Sequence, residues 1–212
     1  GLGDVYKRQP EGPVFNPEQP LDLALLDRAM RLGPRQRFWY EDWHQILEDH
    51  LPELPGQTLE TVSVLLAATS PKTKVRQNVL KALSVLNAHL RNRPSESGIM
   101  QPAVVRRALT EKELKSEGDL KIGSFHETAE FVAGRLEDPP LPVLDVITAA
   151  SFGLPEGAFG TGLTYEVFSR FVINLTEQVN EKLPAGAEPW QPWQLQAVIW
   201  TEQNSDPYTY AD

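Results

Sequence analysis

T-V-S-V-L-L-A-A-T-S-P-K-T-K-V-R-Q-N, from Thr61 to Asn78, is the stretch that decides the fold class. Val62, Leu65 and Leu66 build an apolar helix that runs into small residues. Ser70-Pro71 then predicts a second helix start, because a Ser hydroxyl caps free N–H groups and Pro suits a first turn. The second helix carries Lys72, Lys74, Arg76 and Asn78. From Thr61 to Ser95 the basic residues are Lys72, Lys74, Arg76, Lys81, Arg91 and Arg93, with no Asp or Glu among them. A basic island at a helix N-terminus is a place to hold phosphate; a solvated basic face is the other reading of the same residues.

Outward from this junction the periodicity is helical, with no alternating strand pattern. Helices are expected over 21–32, 37–50, 59–68, 72–90, 103–114, 120–136, 143–152, 165–182 and 193–203. Ile122, Phe125, Ala129, Val132 and Leu136 make one apolar stripe; Tyr165, Phe168, Phe171, Val172, Leu175 and Val179 make another. Pro, Gly and Ser mark 91–101, 137–142, 153–162 and 184–192 as loops. The expectation is an all-α, single-domain bundle of about eight to nine helices over 16–203. Trp39, Trp43, Phe168, Phe171 and Trp200 are expected to be mostly buried, with 37–68 and 165–203 sharing one core. Residues 204–212 read as a frayed polar tail. The opening G-L-G-D-V-Y-K-R-Q reads as a translated sequencing-adapter remnant, and 1–15 as an artefactual or disordered segment.

Bulk properties narrow the chemistry. With 212 residues, 41% of them hydrophobic, the chain can bury one sizeable core. No cysteine is present, which removes disulfides, thiol catalysis and thiolate metal sites. No apolar run approaches the roughly 18 residues of a membrane span, so a cytoplasmic protein without a membrane partner is expected. The net charge of −9 opposes indiscriminate nucleic-acid binding, but it is unevenly spread. Residues 61–110 hold the six bases above plus Arg106 and Arg107 against Glu96 alone.

Among candidate chemical residues, Asp145 stands in P-V-L-D-V-I, flanked by Val143, Leu144, Val146 and Ile147. It is either a first-turn cap, held by free N–H groups, or a partly desolvated carboxylate able to steady a developing cation. Lys121 is either a solvated helix-start residue or a phosphate contact or amine nucleophile. His126 has no second His at ligand spacing, the others being His44, His50 and His89, so neither metal nor cofactor is expected. Trp39 and Trp43 lie four apart on one helix face, which suits core packing. Gly160-x-Gly162 precedes a helix without a strand before it, a weak phosphate-loop signal.

In this order the pieces resemble a family. Leu65-Leu66-Ala67-Ala68-Thr69-Ser70 with Lys74-Val75 and Asn78 resembles the "LLSAQT…VN" junction of helix-hairpin-helix DNA glycosylases, the HhH-GPD superfamily. Pro142-Val143-Leu144-Asp145, continuing to Gly153-Leu154, resembles their "PVDTHV…R.GL" segment, whose Asp is catalytic. Trp39-Tyr40, Ala68-Thr69-Ser70-Pro71 with Asn78, Lys121-Ile122 with Phe125, Asp145, and Leu195-Gln196-Ala197 with Trp200 are similar to small proteins of bacteriophages and actinobacteria. Thymine pyrophosphorylase-like phage relatives of the glycosylases share this layout. The likeness spans residues 38–202. The "LPGVGRKTA" hairpin is absent, Asp145 is followed by Val-Ile instead of Thr-His, and there is no Cys cluster for an iron–sulfur site. The resemblance implies an HhH-glycosylase-like fold and excision or modification of DNA bases, in the host cytoplasm if phage-encoded; a monomer is a separate expectation. It assigns Asp145 as the carboxylate with Lys121 its partner, and Lys72, Lys74, Arg76 and Asn78 as DNA contacts. A non-catalytic helical module that binds DNA or protein on the same scaffold is the other implication.

Overall fold

The computed structural model describes residues 37–50, 59–70, 73–94, 102–110 and 120–203. Among them are eight helices and no strand: α1 Trp39–His50, α2 Leu59–Thr69, α3 Val75–Leu90, α4 Pro102–Thr110, α5 Leu120–Val132, α6 Val146–Ser151, α7 Gly162–Glu181 and α8 Pro192–Gln203. The chain is all-α. The expected helix over 21–32, the segment 1–15 and the tail 204–212 lie outside the described residues.

Three apolar clusters hold the helices together. In the first, α2 is enclosed by α3, α4 and α5, with Val64, Leu65 and Ala67 packed against Leu86, Val105 and Ile122. The second belongs to α7 and α8 and contains Leu144, Tyr165, Phe168, Val172, Leu175, Leu195 and Val198. The third sits where α1 meets α5 and α8, built from Trp39, Tyr40, Val143, Trp193 and Ala197. The expected single core is thus three adjoining ones. Trp39, Phe168 and Phe171 are buried as expected, whereas Trp43 and Trp200 are half-buried at the border of the third cluster. Helix α5 serves all three clusters: Leu120 packs on the second, Ile122 belongs to the first, Phe125 bridges first and third, and Phe131 joins the third.

Four boundaries differ from the periodicity for local physical reasons. Helix α3 begins at Val75, with Lys74 in the cap position and no side-chain cap bond, so Ser70 is not its cap. The Ser70 N–H bonds back to Ala67 O and Thr73 N–H bonds to Ser70 O, which prolongs a turn after α2. Helix α5 ends at Val132, because Gly134 takes φ +71° and closes the C-terminus, with Arg135 N–H on Glu130 O. Helix α6 begins only at Val146, since Asp145 before it is extended, at φ −130° and ψ −176°. Helix α7 starts before Tyr165, at Gly162, where Thr161 and Thr164 form a reciprocal cap.

Candidate functional site

The non-helical residues 142–144 before α6 position Asp145. Val143 enters the third cluster and Leu144 the second, so the two anchor this run on both sides. The fully buried Tyr165 fixes this run from α7. Its hydroxyl donates to Pro142 O at 3.0 Å and accepts from Leu144 N–H at 3.0 Å. Burial pushes the Tyr165 phenol up to about 12, while hydrogen bonds from Leu144 and Ser124 pull the other way.

Asp145 is the N-cap of α6, so the cap reading is correct as far as one oxygen goes. Oδ1 accepts from Ile147 N–H (3.1 Å), Thr148 N–H (2.9 Å) and Thr148 Oγ1 (3.0 Å). Oδ2 accepts from one donor, Trp200 Nε1–H of α8, at 3.0 Å. The residue is half-buried. The far end of α6 is closed by Gly153 at φ +68°, with Gly153 N–H on Ala150 O and Leu154 N–H on Ala149 O. A side chain at that left-handed position would be strained.

Lys121 is not the solvated helix-start residue that the sequence allowed. Its stem keeps some exposure, but the amine lies deep among protein atoms and donates to Ser70 Oγ at 3.1 Å. Burial lowers its pKa below the ordinary lysine value, and the negative charge of Asp145 partly offsets this. The sequence-predicted carboxylate and amine therefore feel each other, although the amine's hydrogen bond goes to Ser70. Tyr40 completes the surroundings. It donates to Gln196 Oε1 at 3.0 Å, and its pKa is held well above the ordinary value by burial, then by the charge of Asp145.

The basic island divides. Lys74 and Arg76 are exposed at the first turn of α3, where side chains can meet an anion, and Lys72 lies outside the described residues. Asn78 requires a correction: it is buried, with Nδ2 donating to Leu66 O (3.0 Å) and Oδ1 accepting from Thr69 Oγ1 (2.6 Å). Its amide ties α2 to α3 and is not presented to a ligand. His126 lies 3.7 Å from Glu130, which Arg135 grips through both guanidinium bonds.

Sequence reasoning missed Ser70 as the amine's partner, Tyr165 as the clamp, and Trp200 as a donor to Asp145. Trp39-Tyr40 and the Leu195–Trp200 run were visible as motifs, but their aromatic character pointed to packing. They also pack, since Trp200 lies 5.3 Å from Trp39 between ring centroids. No family model matches this chain, and no curated protein or solved structure is significantly similar to it.

Proposed function

We propose that this chain is a divergent member of the HhH-glycosylase-like DNA-processing proteins and excises or modifies a DNA base, in the host cytoplasm if phage-encoded. One observation supports the reading: an amine with its pKa lowered by burial lies within electrostatic reach of a half-buried carboxylate, and these are the two residues that the family resemblance singles out. Breaking the bond between a base and C1′ of its sugar sends the electron pair out with the base, which takes up a proton, and leaves positive charge on the sugar. A fixed carboxylate beside that charge lowers the barrier; loss of one such preorganised group costs about 10²–10³ in rate in other enzymes. Asp145 is that group. Lys121, whose burial makes its proton easier to lose, is the nucleophile: once deprotonated it adds to C1′ and can pass to an imine when the sugar ring opens. The target base must leave the stack first, and Lys74 and Arg76, with Lys72, hold the flanking phosphates.

The test incubates the protein with plain and hypermodified duplexes and analyses released bases by mass, with borohydride present in a parallel reaction to trap an imine. Base release, and a cross-link that Lys121→Met abolishes, are expected. Asp145→Asn should end release while DNA affinity stays the same or tightens, because shape is kept and a negative charge near phosphate is lost. Wild-type-like release by the Asn variant would rule out the catalytic role. A second reading, the non-catalytic binding module, is favoured by the three hydrogen bonds that commit Oδ1 of Asp145 to capping. It predicts DNA binding with no released base and no trapped adduct from any duplex.

A further inference from the structure

We infer that Trp200 is the positioning residue of the Asp145 carboxylate: its indole N–H aims the one oxygen that the helix cap leaves over. The proposal rests on the base-processing reading for its consequence, and on geometry for its substance. All donors to Oδ1 come from Ile147 and Thr148, two and three residues along the same chain, so the cap fixes that oxygen locally. Oδ2 is held from a different helix, by Trp200 Nε1 at 3.0 Å. An indole N–H donates and never accepts, so it orients the carboxylate without competing for a proton. Donors around an anionic oxygen are stronger than neutral pairs and set its direction.

The position of Trp200 is itself tightly defined. Its ring lies 5.3 Å from Trp39, which in turn packs edge-on against Tyr40 at 4.9 Å. Four residues earlier on α8, Gln196 receives the Tyr40 hydroxyl. Helix α8 is thereby locked to α1 by a ring contact and a hydrogen bond one turn apart, and the indole N–H has little freedom to leave Oδ2. Both Asp145 and Trp200 are half-buried, so the pair lies where a substrate can approach. This gives the Leu195–Trp200 motif a role beyond packing.

Trp200→Phe is the test, because it keeps a ring against Trp39 and deletes only the donor. Base release should lose about ten- to a hundredfold in kcat, the range for removing one hydrogen bond to a charged group, with DNA affinity and Tm nearly unchanged. Unchanged kcat in a variant of wild-type stability overturns the proposal. A second readout does not need activity. Five tryptophans give five indole N–H signals in a proton–nitrogen spectrum, and Trp200→Phe identifies one by its disappearance. Asp145→Asn should move that signal, while Glu41→Gln should instead move the signal of Trp193, whose Nε1 donates to Glu41 Oε1 at 3.3 Å. If the wild type releases no base from any duplex, the base-processing reading fails and the spectrum decides alone. A Trp200 signal indifferent to Asp145→Asn overturns the positioning role; a shift confined to Asp145→Asn upholds it.

Discussion

Removing one oxygen from Tyr165 should cost more than its size suggests. The Tyr165 ring is 1% exposed within the second cluster, and Tyr165→Phe leaves that packing intact. What disappears is a hydroxyl that both accepts from Leu144 N–H and donates to Pro142 O, each at 3.0 Å. Leu144 is 1% exposed, so water cannot easily replace the lost partner on its N–H. A buried backbone group left without a partner costs about 1–3 kcal/mol, and two are stranded here. Because the phenol's own desolvation is no longer needed, the net loss should be about 2–4 kcal/mol. For a chain of this length that is a Tm decrease of about 6–12 °C. Urea unfolding followed by tryptophan fluorescence measures it, with an unchanged m-value showing that the effect lies in the native state. The same variant loosens 142–144 and so should lower any Asp145-dependent activity more than it lowers DNA affinity. A loss below about 0.5 kcal/mol, the size of an ordinary surface substitution, would refute the clamp.

Alkaline pH should unfold the protein through the same phenol. Tyr165 keeps its proton to about 12 in the fold and loses it near 10.0 when unfolded, so the unfolded chain binds fewer protons between these values and stability falls as pH rises. The two-unit difference is worth about 2.7 kcal/mol, and Tyr40 acts in the same direction. Lys121 has the opposite sign: its lowered folded pKa makes stability rise with pH up to 10.5, and it adds no slope beyond. Urea midpoints measured from pH 9 to 12 should therefore drop above 10.5, and a flat profile there contradicts the burial of both phenols. Lys121→Met should leave stability at pH 7 unchanged or raise it by about 1 kcal/mol, since a buried polar amine is replaced by an apolar chain of similar length; a Tm decrease would show that the amine is a structural asset. Lys74→Ala with Arg76→Ala should reduce the salt slope of DNA binding by about two, near one per lost phosphate contact. Asn78→Ala should instead cost about 1–3 kcal/mol of stability at an unaltered slope, because its amide bonds Leu66 and Thr69.

Helices were legible because their signal is local: a stripe such as Tyr165, Phe168, Val172, Leu175 and Val179 needs only its own segment to be recognised. Boundaries were less legible: the expected start at 165 passed over the Thr161–Thr164 cap, and the expected end at 136 passed over Gly134. They were misread where tertiary bonds dominate, as at Ser70, whose hydroxyl goes to Lys121 on another helix. The candidate site shows the same division. Asp145 was visible because a carboxylate among valines and leucines is conspicuous, and its cap needs only residues 147 and 148. Trp200 reaches Asp145, and Tyr40 reaches Gln196, across more than fifty residues of chain, and no periodicity carries that information. Asn78 was misassigned for a related reason. Lys74 and Arg76 are exposed, but two positions further along the helix turns the side chain inward, under the end of α2.

The burial of Lys121 follows from the way α5 is shared between cores. On an α-helix, residues 120 and 122 lie about 200° apart and residue 121 falls midway between them. Leu120 packs on the cluster of α7 and α8, and Ile122 belongs to the cluster around α2. With its neighbours drawn into separate cores, Lys121 is directed along the seam where those cores meet, towards Ser70 and the charge of Asp145. Leucine or methionine would fill the seam at lower desolvation cost, so a lysine here is a local choice that opposes stability. Such conflicts concentrate at functional sites, where an amine of lowered basicity is useful because it gives up its proton, and so becomes a nucleophile, more readily than an ordinary lysine. The prediction that Lys121→Met holds or gains stability while losing all trapping by borohydride therefore joins the packing of α5 to the chemistry. A variant that loses stability and activity together would break that link.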